Sequence, residues 1–184
     1  MCCKSFTKFG FRALAYLFLL PTISLFMGCG SSSDSVGFSG AGDVNISVEP
    51  TSIDVGDRLL VTVDIFTIND DGIFAKIKFP NSLSYVEGTA LLTVSGDESE
   101  IEPDIIADGE DDDTFLIFFL AESDFDITRQ GELTFELQAD DAVEDGRISV
   151  DIDGDDPTVL NINEFNAEDP AFQEEEGQSI EVIS

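Results

Sequence analysis

From Asp43 onward the apolar residues recur at every second position. Val44, Ile46 and Val48 alternate with polar neighbours, as do Leu59, Val61, Val63 and Ile65, and then Ile73, Ala75, Ile77 and Phe79. A period of 2 sends alternate side chains to opposite faces of a strand, one toward a core and one toward water. Asn69-Asp70-Asp71-Gly72 separates the last two runs and predicts a hairpin turn in which Gly72 takes the positive φ. Leu83–Tyr85 and Ala90–Val94 are shorter strand candidates, and the acidic stretch from Gly96 to Asp113 reads as a long loop. Thr114–Leu120 (TFLIFFL) is apolar on both faces, which predicts a central strand covered on each side. Leu133, Phe135 and Leu137, then Ile148, Val150 and Ile152, and finally Ile180 and Val182 complete the alternating runs. No helical stripe, internal repeat or heptad pattern competes with them. About nine short strands between turns predict an all-β fold, a jelly-roll or immunoglobulin-like β-sandwich over residues 43–184.

The pattern before Asp43 is different. Lys4, Lys8 and Arg12 precede an apolar run from Ala13 to Phe26, charged and sized like a secretory signal peptide and too short to span a bilayer. The run ends Leu25-Phe26-Met27-Gly28-Cys29, which resembles the lipobox of bacterial lipoproteins, with Phe26 where that pattern usually carries Leu. The resemblance implies a signal over residues 1–28, cleavage after Gly28 and lipid attachment to Cys29, with the acyl chains as the membrane partner. Gly30 after the cysteine, rather than Asp, then implies an outer-membrane or cell-surface location. Residues 29–42 hold the lipidated Cys29 and a Ser/Gly-rich stretch that reads as a flexible tether. Cys2 and Cys3 leave with the signal, so no disulfide supports the domain.

Composition narrows the chemistry. The 184 residues carry 8 Lys plus Arg against 39 Asp plus Glu and no His, a formal charge of −31. Nucleic acid is excluded as a partner, because no stretch supplies the basic stripe that displaces counterions from phosphate. The absence of His removes the commonest general base and zinc ligand, and there is no nucleophile elbow, phosphate-binding glycine loop or paired Cys motif. With so many acids, close carboxylate pairs carry no information about glycoside hydrolysis, and no enzyme activity is expected.

Four stretches resemble cohesin modules, which belong to the same superfamily as several carbohydrate-binding modules. Val55-Gly56-Asp57 with the alternating run to Ile65 resembles the family's opening strand, and Phe79-Pro80-Asn81-Ser82-Leu83-Ser84-Tyr85-Val86 resembles a second family segment. Gly131-Glu132-Leu133-Thr134-Phe135-Glu136-Leu137 and Gln178-Ser179-Ile180-Glu181-Val182 resemble the third and the closing strands. Bacterial immunoglobulin-like domains share the first two features. The cohesin resemblance implies a nine-stranded sandwich that docks a dockerin-like protein on one sheet, with the Ile73–Phe79 and Ile148–Ile152 strands side by side next to Thr114–Leu120.

On that arrangement Phe74, Lys76 and Lys78 face outward on one strand, and Arg147, Ser149 and Asp151 on its neighbour. These six residues are the candidate partner-binding face, an apolar and cationic patch on an acidic protein, with the alternative that Lys76, Lys78 and Arg147 only offset Asp and Glu across strands. Should the Gly96–Asp113 stretch fold over the apolar side, the patch becomes core instead. Asp151-Ile152-Asp153-Gly154-Asp155-Asp156 reads first as a solvated acidic turn, with weak calcium binding by Asp151, Asp153 and Asp155 as the alternative. Asp108 to Asp113 is a second acidic run with no better ligand spacing, and no other cofactor is expected. The chain is thus expected to be an exported, lipid-anchored, noncatalytic binding or scaffold module. The competing expectations are a polysaccharide-binding surface lipoprotein, with Tyr85 as its test residue, and an acidic adhesion protein without a specific ligand.

Overall fold

The computed structural model describes residues 42–66, 68, 72–109, 112–153 and 172–184. Twelve strands run in the order β1 (Asp43–Glu49), β2 (Ser52–Asp54), β3 (Arg58–Phe66), β4 (Ile73–Pro80), β5 (Leu83–Tyr85), β6 (Leu91–Val94), β7 (Asp97–Glu100), β8 (Ile105–Asp108), β9 (Asp113–Leu120), β10 (Gly131–Ala139), β11 (Val143–Asp153) and β12 (Glu176–Ile183). A 3-10 turn, Glu122–Asp124, follows β9. The first sheet has the order β1-β3-β10-β6-β7, with β5 also paired to β10, and the second has the order β2-β12-β11-β4-β9-β8. The fold is an all-β sandwich, and all pairings are antiparallel except β2 with β12.

The period of 2 explains the core. Val61, Val63 and Ile65 of β3 and Leu133, Phe135 and Leu137 of β10 bury one face of the first sheet. They join Ile73, Ala75, Ile77 and Phe79 of β4, Leu116, Phe118 and Leu120 of β9, and Ile148, Val150 and Ile152 of β11 in one cluster. Phe118 and Phe135 meet from opposite sheets, their ring centroids 6.1 Å apart. Removing this much apolar area from water is the main force holding the layers together.

Three expectations are corrected. β3 and β4 do not form a hairpin: β3 pairs with β1 and β10, whereas β4 lies between β11 and β9 in the other sheet. The chain crosses between layers here, and residues 69–71 of the expected turn lie outside the described residues. Gly72 does take a positive φ of 93°, and a Cβ there would stand 2.5 Å from the Leu120 carbonyl oxygen. The Gly96–Asp113 stretch is not a plain loop, since it supplies β7 and β8. β7 has no apolar residue, but Ser95 and Gly96 both take positive φ, the pattern of a two-residue turn that folds β7 back on β6. β9 is covered on both faces as expected, yet it lies one strand in from the β8 edge rather than at the centre.

Candidate functional site

The outer face of the second sheet holds the expected residues together. In register, Lys76 of β4 stands opposite Asp151 of β11 and Lys78 opposite Ser149, while Phe74 faces Asp153 on that side. On the other side of β4, Phe74, Lys76 and Lys78 stand opposite Phe119, Ile117 and Phe115 of β9. Side chains directly opposite in antiparallel strands share a face, so one continuous surface spans three strands.

That surface was expected to be open, and most of it is closed. Phe74 retains 1 % of its accessible surface, Lys76 none, Ser149 4 % and Asp151 2 %. Phe115 and Ile117 form a second buried cluster with Ile105 and Ala107 of β8, Phe119 and Phe172. The Gly96–Asp113 stretch does not fold over this face: its β8 extends the same sheet, with Ile105 and Ala107 in register beside Ile117 and Phe115. Cover among the described residues comes from the segment 172–175, which enters just before β12. Phe172 packs edge-on against Phe115 with centroids 5.6 Å apart, and Lys78 Nζ lies 5.8 Å from the Phe172 ring centre. The Gln173 amide donates to Asp151 Oδ2 at 2.9 Å, and the Glu175 amide donates to the Val150 carbonyl at 3.0 Å. Glu174 accepts from Arg147 Nε and Ser149 Oγ, both at 2.9 Å, and also from Arg147 Nη2.

Lys76 is the centre of the closed region. Its ammonium lies 2.6 Å from Asp153 Oδ2 and 3.9 Å from Asp151 Oδ2. Desolvation is the main cause that pushes the Asp151 carboxyl up to about 6, assisted by Asp153 and opposed by the Gln173 amide and Lys76. Partial burial, then the charges of Asp151, Asp153 and Asp43, push Glu175 up to about 7. Glu174 moves the other way, held below its usual range by the bonds from Arg147 and Ser149. Arg147 lies across Gly177, where a Cβ would meet its guanidinium at 2.7 Å.

Two of the six residues stay in contact with solvent. The Lys78 side chain is 34 % exposed and paired with Asp113 at 2.9 Å, and the Arg147 side chain is 47 % exposed and paired with Glu174. Both stand at the rim of the closed region. The proposed calcium ligands are arranged otherwise than a metal site would need. Asp151 and Asp153 turn their carboxylates to Lys76, Asp155 lies outside the described residues, and no group of three acids is set to hold a metal among the described residues. Tyr85 donates to Glu102 at 2.8 Å and stands edge-on to Phe135, so its ring is not a flat open platform for a sugar. Burial, then the Glu102 carboxylate, push its hydroxyl up to about 12. Cys29 and the whole lipobox stretch lie outside the described residues.

The segment 172–175 was not foreseen. Phe172 is a lone aromatic beside a run of acids, with no periodicity to mark it. The available signal was the doubly apolar TFLIFFL strand, whose outer side chains required a cover from some part of the chain.

No protein-family model matches the chain, and no curated protein matches it. Among solved structures, it is similar to the N-terminal domain of the Streptococcus gordonii adhesin Sgo0707, with 10 % identity and a TM-score of 0.45 over 77 % of this chain and 33 % of that one. The match therefore spans about a third of the length of that N-terminal-domain chain. A cohesin module from a Clostridium perfringens family 33 glycoside hydrolase gives 11 % identity and a TM-score of 0.39, covering 78 % of this chain and 97 % of the module. AvmM, which catalyses macrocyclisation in alchivemycin A biosynthesis, gives 9 % identity and a TM-score of 0.47, covering 77 % of this chain and 89 % of AvmM.

Proposed function

We propose that the chain is exported, anchored through lipid on Cys29, and displays its sandwich at the cell surface as a noncatalytic protein-binding module. The docking surface in this reading is the rim of the closed face, with Lys78 and Arg147 as its contact residues. The observation that carries the reading is the placement of these two cations. They are exposed side by side on one sheet of a protein whose formal charge is −31, and each is already held in place by a carboxylate. Preorganised charged groups at the edge of a rigid apolar layer give a partner specificity at low entropic cost. Phe74, Lys76, Ser149 and Asp151 lie beside this rim on the same sheet face, in its closed part. The cohesin resemblance implies a dockerin-like partner.

A second reading rests on the charge itself: an acidic surface protein without a specific ligand, whose self-repulsion keeps it soluble and extended from its neighbours. One experiment separates the two. The intact lipoprotein, in detergent, is used to capture proteins from its own cell envelope, beside a Lys78→Gln, Arg147→Gln variant with an unchanged melting curve. A protein retained by the native chain and lost from the variant supports docking at the rim. Equal retention by both, or none, favours the acidic surface protein. Metabolic labelling with a fatty acid, lost in Cys29→Ser, tests the anchor.

A further inference from the structure

The buried pair on β4 and β11 carries chemistry that docking does not use. Lys76 Nζ lies 2.6 Å from Asp153 Oδ2, with its side chain wholly removed from solvent and that of Asp153 10 % exposed. Burying two opposite charges costs more than it returns unless something further is gained. Condensation of an amine with a carboxylic acid runs through their neutral forms, and a site closed to water lowers the cost of passing through neutral species and of releasing water. We propose that Lys76 and Asp153 react within the folded chain to form an intramolecular amide bond that covalently joins β4 to β11.

The step balances without an outside reagent. The ammonium passes one proton along its short hydrogen bond to the Asp153 carboxylate, leaving an amine beside a carboxylic acid. The amine lone pair adds to Asp153 Cγ. Asp151, whose Oδ2 lies 3.9 Å from the same nitrogen, takes a proton from the nitrogen and returns it to the departing hydroxyl, which leaves as water. Overall –NH₃⁺ and –COO⁻ become –NH–CO– and one water, with no change in charge or oxidation state, and Asp151 ends as it began. The Gln173 amide fixes Asp151 for this role, and burial keeps its carboxyl near the middle of the pH range where it can both accept and release a proton. Holding the reacting groups in contact replaces a bimolecular encounter, and effective concentrations of about 10⁵–10⁸ M are available to well-aligned pairs. The product is one neutral amide in place of two buried charges.

The protein contains its own control. Lys78 and Asp113 are also paired, at 2.9 Å, but their side chains are 34 % and 21 % exposed, so the pair is open to water and no amide is expected there. The test is the mass of the purified, denatured full chain compared with a Lys76→Arg variant made identically, so that processing at the N-terminus cancels. The native chain is expected to be lighter than its sequence requires by one water, with no tryptic cleavage after Lys76 and one branched peptide linking Lys76 to Asp153. Asp153→Asn expels ammonia instead and reaches the same final product, while Asp151→Asn keeps the full mass. A native chain of full mass that trypsin cleaves after Lys76 overturns the proposal, whether or not the variants fold. A lost water mapped to Lys78 and Asp113 overturns it as well.

Discussion

Ile117 sits on the outer face of a two-layer sandwich, where a side chain is ordinarily half-solvated and its truncation nearly free. Here it keeps no accessible surface and packs in the cluster of Phe115, Ile105, Ala107, Phe119 and Phe172. Ile117→Ala removes three carbons and leaves a cavity under that layer, a change that costs about 2–5 kcal/mol at fully buried sites. With a urea dependence of about 1–3 kcal/mol per molar, typical of a small domain, the unfolding midpoint falls by about 1–2 M. Ile106→Ala is the matched control: the same substitution one strand away, at a residue 55 % exposed, is expected to change stability by no more than about 0.5 kcal/mol. Both variants and the native protein are compared by circular dichroism in urea. An Ile117→Ala midpoint as close to native as that of Ile106→Ala would refute the second core.

Further expectations follow from single residues. Asp151 is buried and titrates in the folded chain near 6 instead of 3.8, so the native state holds more protons than the unfolded chain across that window. Stability therefore falls as pH rises from about 4 to about 6 and levels off above; the contribution is about 3 kcal/mol at about 1.4 kcal/mol per pH unit. Urea unfolding of Asp151→Asn over the same pH range is expected to lack that part of the slope. Gly72→Ala places a Cβ 2.5 Å from the Leu120 carbonyl at a φ of 93° and is expected to cost more than about 1 kcal/mol by thermal melting. Gly177→Ala meets only the end of the flexible Arg147 side chain, so it is expected to cost less than Gly72→Ala in the same assay and to increase Arg147 exposure.

Much of the sandwich was legible because burial imposes a period of 2 on any strand with one face in a core. Val61, Val63, Ile65, Leu133, Phe135 and Leu137 were assigned to that core by alternation alone, and the structure buries all six. Alternation does not say which sheet a strand joins, which is why β3 and β4 read as a hairpin although they lie in opposite layers. β7, Asp-Glu-Ser-Glu, is held by the Ser95-Gly96 turn and its pairing to β6, and no hydrophobic pattern announces it. At the candidate site, strand periodicity put Phe74, Lys76 and Lys78 on one side of β4 and Arg147, Ser149 and Asp151 on one side of β11, whereas the pairing of the two strands was implied only by the cohesin resemblance. Their accessibility was a long-range property. Over Phe115, Ser149 and Asp151 it depends in part on an irregular segment, 172–175, which reaches the sheet through an aromatic contact and hydrogen bonds that no local pattern announces.

Lys76 is sealed inside a covered face while Lys78, two residues away, stands at its open rim. Amine footprinting of the folded Asp151→Asn protein, in which the Lys76 amine is expected to stay free, with an N-hydroxysuccinimide ester and readout by peptide mass spectrometry, tests this. Lys78 is expected to be modified while Lys76 is not. Modification of Lys76 in the folded protein at a rate comparable to that of Lys78 would contradict it.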